Sequence, residues 1–187
     1  MFNDNERLIW QEKERKEVFN SPIFSIEERL CLSPNDTLKV FTVLNAPDWA
    51  IIIPVIDTER GKEFVMVRQW RHGVQDLSLE FPGGVFDLGE TAEKAALREL
   101  EEETAYTADK IIKLGAFNPN PAIMSNKVHI FLAYDLKRLE SQHLDEDEYV
   151  DVEMIPEKDV LKGMGKAPYI HALMGSALLL YEAYKNN

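Results

Sequence analysis

The sequence predicts an α+β or mixed α/β fold, and three features predict it. Short runs of strand character recur over most of the chain, at 22–32, 37–44, 49–56, 63–69, 128–136 and 149–155. Two substantial segments carry helical periodicity instead, one following Thr91 and one over 168–184. The 187 residues are 45% hydrophobic, which suits one core, either a single domain or one with a small appendage. We therefore expect an N-terminal extension over 1–45 and a main domain over 46–187.

The elements follow in order. Residues 6–18 are charged and read as either helical or extended. The segments 22–32 and 37–44 read as strands joined by a turn at Ser33-Pro34-Asn35-Asp36. The run 49–56, Trp-Ala-Ile-Ile-Ile-Pro-Val-Ile, suits a strand buried on both faces. Pro54 within it demands an irregularity or a place where one amide need not pair. A turn at 58–62 leads into 63–69, which should pair with it. The loop 72–76 and the short run 77–81 then reach a glycine turn at Gly83 and Gly84. Beyond the next helix lie a strand over 110–118, a rigid Asn118-Pro119-Asn120-Pro121 loop and a strand over 128–136. An acidic loop covers 140–148, followed by an alternating strand over 149–155 and a short helix opened by Pro156. The final helix has an apolar stripe of Ile170, Leu173, Ala177, Leu180, Tyr181 and Tyr184. Leu178 and Leu179 fall off that stripe, which predicts burial on more than one side.

Charge and cysteine content exclude several functions. Thirty-three acids against 21 bases give a formal charge of −12, unsuited to nonspecific binding of nucleic acid or anionic membrane. Cys31 is a lone cysteine, so neither a disulfide framework nor a cysteine-rich zinc site is expected, and a reducing cytoplasm fits. The start, MFNDNERLIW, carries no signal-peptide pattern. No apolar run approaches the roughly 20 residues of a membrane span. His72, His129, His143 and His171 show no metal-like spacing, and no nucleophile triad is visible.

The chemistry concentrates in Gly84 to Tyr106, GVFDLGETAEKAALRELEEETAY. Thr91 is a natural N-cap, with Glu90 and Glu93 near the helix start. At about 100° per residue, Ala92, Ala96 and Leu100 form an apolar stripe, and Glu99 and Glu103 fall along it. Glu102 lies at its edge. Carboxylates facing a protein body are unfavourable unless paired, and they crowd the helix end where the macrodipole disfavours anions. A divalent cation resolves both conflicts, because Mg²⁺ takes hard oxygen ligands. Acidic runs are more commonly solvated faces, and Glu101 is expected to be solvated, but the spacing G-x5-E-x7-R-E-L-x-E-E is far more specific than an acidic run.

Gly84, Glu90, Arg98, Glu99, Leu100, Glu102 and Glu103 resemble the Nudix box of the Nudix hydrolases. The family glycine near the end of the box is Ala105 here, which predicts a different exit from the helix. The flanking Gln69-Trp70-Arg71, Glu80-Phe81-Pro82-Gly83-Gly84 and the Asn-Pro loop resemble the ADP-ribose and ADP-sugar pyrophosphatase branch over roughly residues 50–155. The resemblance implies a mixed sheet sandwiched between helices (α/β/α) with a strand-rich N-terminal extension. It implies Mg²⁺, or Mn²⁺, held by Glu99, Glu102 and Glu103 with the Gly83 carbonyl. Glu90, Gly84 and Arg98 would orient the cluster, Arg98 and Glu102 supporting catalysis. Arg71 and Gln69 would bind the diphosphate or sugar. Trp49 and Trp10 are candidate adenine platforms, though Trp49 also reads as core and Trp10 as part of a dimer seam.

The general base lies elsewhere. Where many members place a glutamate after the box, this chain has Asn126, whose amide takes no proton from water. Other members use a glutamate before the last strand, and Glu148 in Glu-Tyr-Val-Asp-Val matches that context better than Glu146. The expected reaction is cleavage of ADP-ribose to AMP and ribose 5-phosphate by a homodimer with exchanged N-terminal strands. Another nucleoside diphosphate derivative, such as GDP-mannose or a dinucleotide, and a non-catalytic nucleotide sensor are the alternatives.

Overall fold

The computed structural model describes residues 5–146 and 148–186, and its chain forms two compact units. The smaller combines Met1–Pro47 with Asn118–Lys127. Its sheet is antiparallel in the order β1 (Gln11–Asn20), β2 (Ser25–Leu32), β3 (Leu38–Asn45). The ambiguous 6–18 stretch resolves into a 3-10 turn at Glu6–Leu8 and the first strand. The Asn-Pro loop was expected within the larger domain. It groups here instead because the Leu44 N–H donates to the Ile123 carbonyl at 2.7 Å and the Ser125 N–H to the Leu44 carbonyl at 3.1 Å.

The larger unit combines Asp48–Phe117 with Val128–Asn187. Its strands are β4 (Trp49–Thr58), β5 (Gly61–Arg71), β6 (Asp76–Glu80), β7 (Gly83–Val85), β8 (Tyr106–Phe117), β9 (Val128–Arg138) and β10 (Val150–Pro156). Its helices are α1 (Ala92–Thr104), α2 (Glu157–Gly163) and α3 (Ala172–Lys185). The sheet runs β10-β5-β4-β9-β8, with β6 beside β5 and β7 beside β4. β4 and β9 are parallel while the other pairs are antiparallel, so the sheet is mixed.

Strand alternation divides the core into two layers. From β4 and β9, Ala50, Ile52, Phe131 and Ala133 pack against Ala95, Ala96 and Leu100 of α1. Ile51, Ile53, Val55, Ile130 and Leu132 face the other way, joining Val160 of α2 and Met174, Ala177, Leu178 and Tyr181 of α3. This is the sandwich the family resemblance implies. Leu178 is buried, but Leu179 is 65% exposed, so only the first departs from the stripe into the core. The final helix also starts at Ala172 rather than at 168. Residues 168–171, with the first turn of α3, instead form a strap along β6 and the turn after it. There the Leu79 N–H donates to the Pro168 carbonyl and the Phe81 N–H to Met174 Sδ.

Pro54 is accommodated as the sequence requires. On one edge β4 pairs with β7 at Trp49–Ile51 and with β5 from Val55 onward. Pro54 falls in the gap between those partners, where its missing N–H removes no ladder bond. The same change of partner separates β7 from the β5–β6 hairpin and opens the sheet where the functional residues gather.

Candidate metal and phosphate site

α1 is built to present its acidic face. Thr91 is extended (φ −87°, ψ 152°) and its Oγ1 accepts from the Lys94 N–H, an N-cap bond that ends the glycine turn. Ala95, Ala96 and Leu100 are buried, and Glu99 and Glu103 are buried with them. The exit differs from expectation: Ala105 itself adopts the left-handed conformation (φ 55°, ψ 34°), and its N–H donates to the Glu101 carbonyl. The alanine thus takes up the backbone that glycine usually supplies.

Arg98 is the hub. Its Nε and Nη2 donate to Glu90, and Nη2 also reaches the Val85 carbonyl at 2.8 Å. Nη1 donates to Glu99 Oε1 and Glu102 Oε2, each at 2.9 Å. Glu90 is fixed in turn by the Asp87 N–H. Burial opposes the guanidinium charge, but these carboxylates outweigh it and hold Arg98 protonated. Burial also opposes ionisation of Glu99 and Glu103. It pushes Glu99 up to about 7 against the attraction of Arg98, helped by repulsion from Glu102 and Glu148. It pushes Glu103 up to about 8, reinforced by Glu99 and Glu148 and opposed by the Gly83 N–H, which donates to Glu103 Oε2 at 2.9 Å.

Among the described residues no three His, Cys, Asp or Glu side chains converge as a closed metal cage. The guanidinium lies between Glu99 and Glu102, and Glu103 turns to a backbone amide. The donor set nevertheless fits a hard cation. Its oxygens carry anionic charge that burial opposes, and a divalent ion relieves that conflict. Gly83 and Gly84 serve differently here. A Cβ on Gly83 would meet the Ala50 carbonyl oxygen at 2.3 Å, inside the β4–β7 ladder. A Cβ on Gly84 would meet Glu99 Oε1 at 2.3 Å. Gly84 therefore makes room for the carboxylate itself.

A cavity of about 250 Å³ opens beside the cluster, lined by Trp49, Arg71, Glu80, Gly83, Gly84 and His171 among others. Arg71 Nε and Nη2 donate to Glu80 at 2.9 and 2.7 Å. Burial opposes ionisation of Glu80, yet Arg71 holds its carboxyl below the usual value. Trp49, half-buried, lines the cavity while also packing on the core, so both readings of it hold geometrically. Gln69 lies two residues before Arg71, paired across to Ser78 and Val150, outside the cavity lining. Trp10, in the smaller unit, packs edge-on against Phe41 at 5.1 Å. Asn126 Nδ2 donates to the Pro47 carbonyl at 3.0 Å. His129 Nε2 contacts Asp48 at 3.1 Å.

Glu148 is exposed, and its charge reaches Glu99, Glu103 and Arg71. Its loop is tied to the end of α1. The Leu139 N–H donates to the Ala105 carbonyl, the His143 N–H to Glu102, and Gln142 Nε2 to Glu103. These bonds satisfy carbonyls that a helix terminus otherwise leaves open. Sequence reasoning assigned no role to Glu80, Gln142 or His171. The β5–β6 register sets Asp76 opposite Arg71 and Glu80 opposite Val67, so pairing along the hairpin did not mark Glu80. Nothing local marks the other two.

A mixed sheet between helices, with buried glutamates beside a glycine turn, is the architecture of a Nudix protein. The NUDIX domain model matches residues 46–173, and the chain belongs to that family. It is 36% identical over 149 residues to the ADP-ribose pyrophosphatase of Bacillus subtilis (strain 168), covering 79% of each chain. It is 29% identical over 147 residues to the methanol dehydrogenase activator of Bacillus methanolicus, covering 77% of this chain and 78% of that one. A crystal structure of an ADP compounds hydrolase shares the fold with a TM-score of 0.82 at 24% identity, covering 95% and 94% of the two chains.

Proposed function

We propose that the protein hydrolyses the diphosphate linkage of an ADP-sugar such as ADP-ribose, giving AMP and a sugar phosphate. The observation that carries this reading is the carboxylate set, Glu99 and Glu102 held by Arg98 and Glu103 by the Gly83 amide, beside a cavity bearing Arg71. The likeness to an ADP-ribose pyrophosphatase over most of the chain supports the substrate class. Glu99, Glu102 and Glu103, with Gly83, would hold Mg²⁺ or Mn²⁺. That ion would neutralise diphosphate charge and polarise water for attack at phosphorus.

The chain's own residues do the rest. Arg98 holds Glu99 and Glu102 in register, anchored through Glu90 and the Val85 carbonyl. Gly84 leaves space for Glu99. Arg71, with Nε and Nη2 engaged by Glu80, offers Nη1 to a phosphoryl oxygen. Glu148 takes the proton from the attacking water, and the cleaved oxygen leaves on the departing phosphate. Trp49 offers an apolar wall for the base or sugar, and Gln69 supports Arg71 from the same strand.

The N-terminal sheet bears exposed Val18, Phe19, Leu38, Val40 and Phe41. This apolar surface supports a homodimer made through the extension, which gel filtration at twice the monomer mass would register. No helix among the described residues is long and apolar enough to cross a membrane, and the lone Cys31 supports a reducing compartment such as the cytoplasm.

A coupled phosphatase screen with Mg²⁺ tests the substrate class. Monophosphate release from ADP-ribose or ADP-glucose is expected. Preference for GDP-mannose or a dinucleotide would overturn the ADP-sugar assignment. Nucleotide binding without turnover of any compound would overturn the hydrolytic reading.

A further inference from the structure

A second cavity, of about 600 Å³ and bordered by Trp70, His72, Ile170 and His171, adjoins the first. Arg71, Glu80 and His171 line both, so they form the partition between them. His171 enters from the residue just before α3, fixed by the strap in which Pro168 and Met174 accept backbone bonds. Its Nδ1 is sealed from solvent with no hydrogen-bond partner. A buried N–H without an acceptor is rarer and less favourable than a buried lone pair. The ring proton therefore belongs on Nε2, and the half-buried ring lines both cavities. Burial favours the neutral ring against the attraction of Glu80, so Nε2–H is an uncharged donor at neutral pH. Beside it, Glu80 occupies Nε and Nη2 of Arg71 and leaves Nη1.

We infer that His171 is a substrate-binding residue whose Nε2–H donates to an acceptor oxygen of the diphosphate sugar, side by side with Arg71 Nη1. This rests on the ADP-sugar reading. Glu80 then acts as the common support, orienting the guanidinium while its own charge stays matched. A contact made equally before and during the reaction changes binding rather than the chemical step.

Two measurements test the inference separately from its parent reading. Steady-state kinetics on ADP-ribose should give His171→Ala a KM raised about tenfold, the size of one lost hydrogen bond, with kcat within about twofold. His171→Asn, which keeps an N–H donor, should recover much of the loss. An unchanged KM in His171→Ala, or a matched fall in kcat and melting temperature that Asn does not rescue, would overturn the assignment. Independently of turnover, ¹⁵N spectra of the wild-type imidazoles should show His171 protonated at Nε2. That resonance should move on adding ribose 5-phosphate. Ribose and inorganic phosphate, added alone, tell whether a hydroxyl or a phosphoryl oxygen is the acceptor. An Nδ1-protonated ring, or no shift with any of these, would refute the role. If the wild type turns over no ADP-ribose, the parent reading fails and the spectra alone decide His171.

Discussion

Glu103 carries the most direct conflict between folding and function. It is 3% exposed, raised to about 8, and tied to the Gly83 amide. Replacing it by Gln removes a buried charge without changing shape. Glu103→Gln should therefore abolish most turnover yet melt at or above the wild-type temperature at pH 8 without metal; a clear loss of stability would show that the carboxylate is structurally required. Glu148→Gln should lower kcat by roughly 10²–10⁴, as loss of a general base does, and an unchanged kcat would remove Glu148 from the mechanism. Ala105 offers a stability test. A left-handed alanine is strained by roughly 1–2 kcal/mol, so Ala105→Gly should raise unfolding free energy by about 0.5–1 kcal/mol in urea denaturation. The sequence suggested another helix exit at this position. It could not reveal that the surrounding bonds, Ala105 N–H to Glu101 and Leu139 N–H to Ala105, impose the glycine-like backbone on alanine.

At the scale of elements, α1 and the glycine turn form one device. Their placement was legible because the signal is local: Thr91, the alanine stripe and the glutamates sit within four turns of helix, at spacings that fix their faces. The partners from other elements were not legible. Glu80 meets Arg71 through the β5–β6 hairpin, and Gln142 meets Glu103 through a loop that closes after two strands. The contrast between adjacent glycines is also a matter of packing. Gly84→Ala should leave the fold intact but displace Glu99, weakening Mg²⁺ binding at least about tenfold by calorimetry, whereas Gly83→Ala should destabilise the β4–β7 pairing itself. Equal effects on stability would refute this division. Pro54 was legible as an irregularity, but only the change of partner from β7 to β5 explains where it is tolerated.

For the whole molecule, the mixed helix-and-strand class could be read from period-two and period-3.6 patterns and the sandwich from the family resemblance alone, while the sheet order and the grouping of residues 118–127 with the N-terminal strands required tertiary contacts. The carboxylate cluster also links pH, metal and stability. Glu99 and Glu103 are raised in the folded state above the ordinary carboxylate value near 4.5, to about 7 and about 8. Over that window the folded chain holds more protons than the unfolded one, so its stability falls as pH rises from about 4.5 through about 8. Metal-free melting temperature should therefore drop across this range, and Mg²⁺ should restore it more strongly at pH 8 than at pH 6, because the cation binds the ionised groups. A melting temperature independent of Mg²⁺ at pH 8 would contradict the metal assignment.

In the proposed reaction these buried glutamates, with a divalent cation, would cleave an ADP-sugar. The most direct test is ADP-ribose turnover as a function of Mg²⁺, followed by separation of the products, in the wild type and Glu103→Gln side by side. AMP and ribose 5-phosphate are expected in equal amounts from the wild type, with no release in chelator and a loss of at least about a hundredfold in Glu103→Gln. Turnover that survives either chelation or the substitution would contradict it.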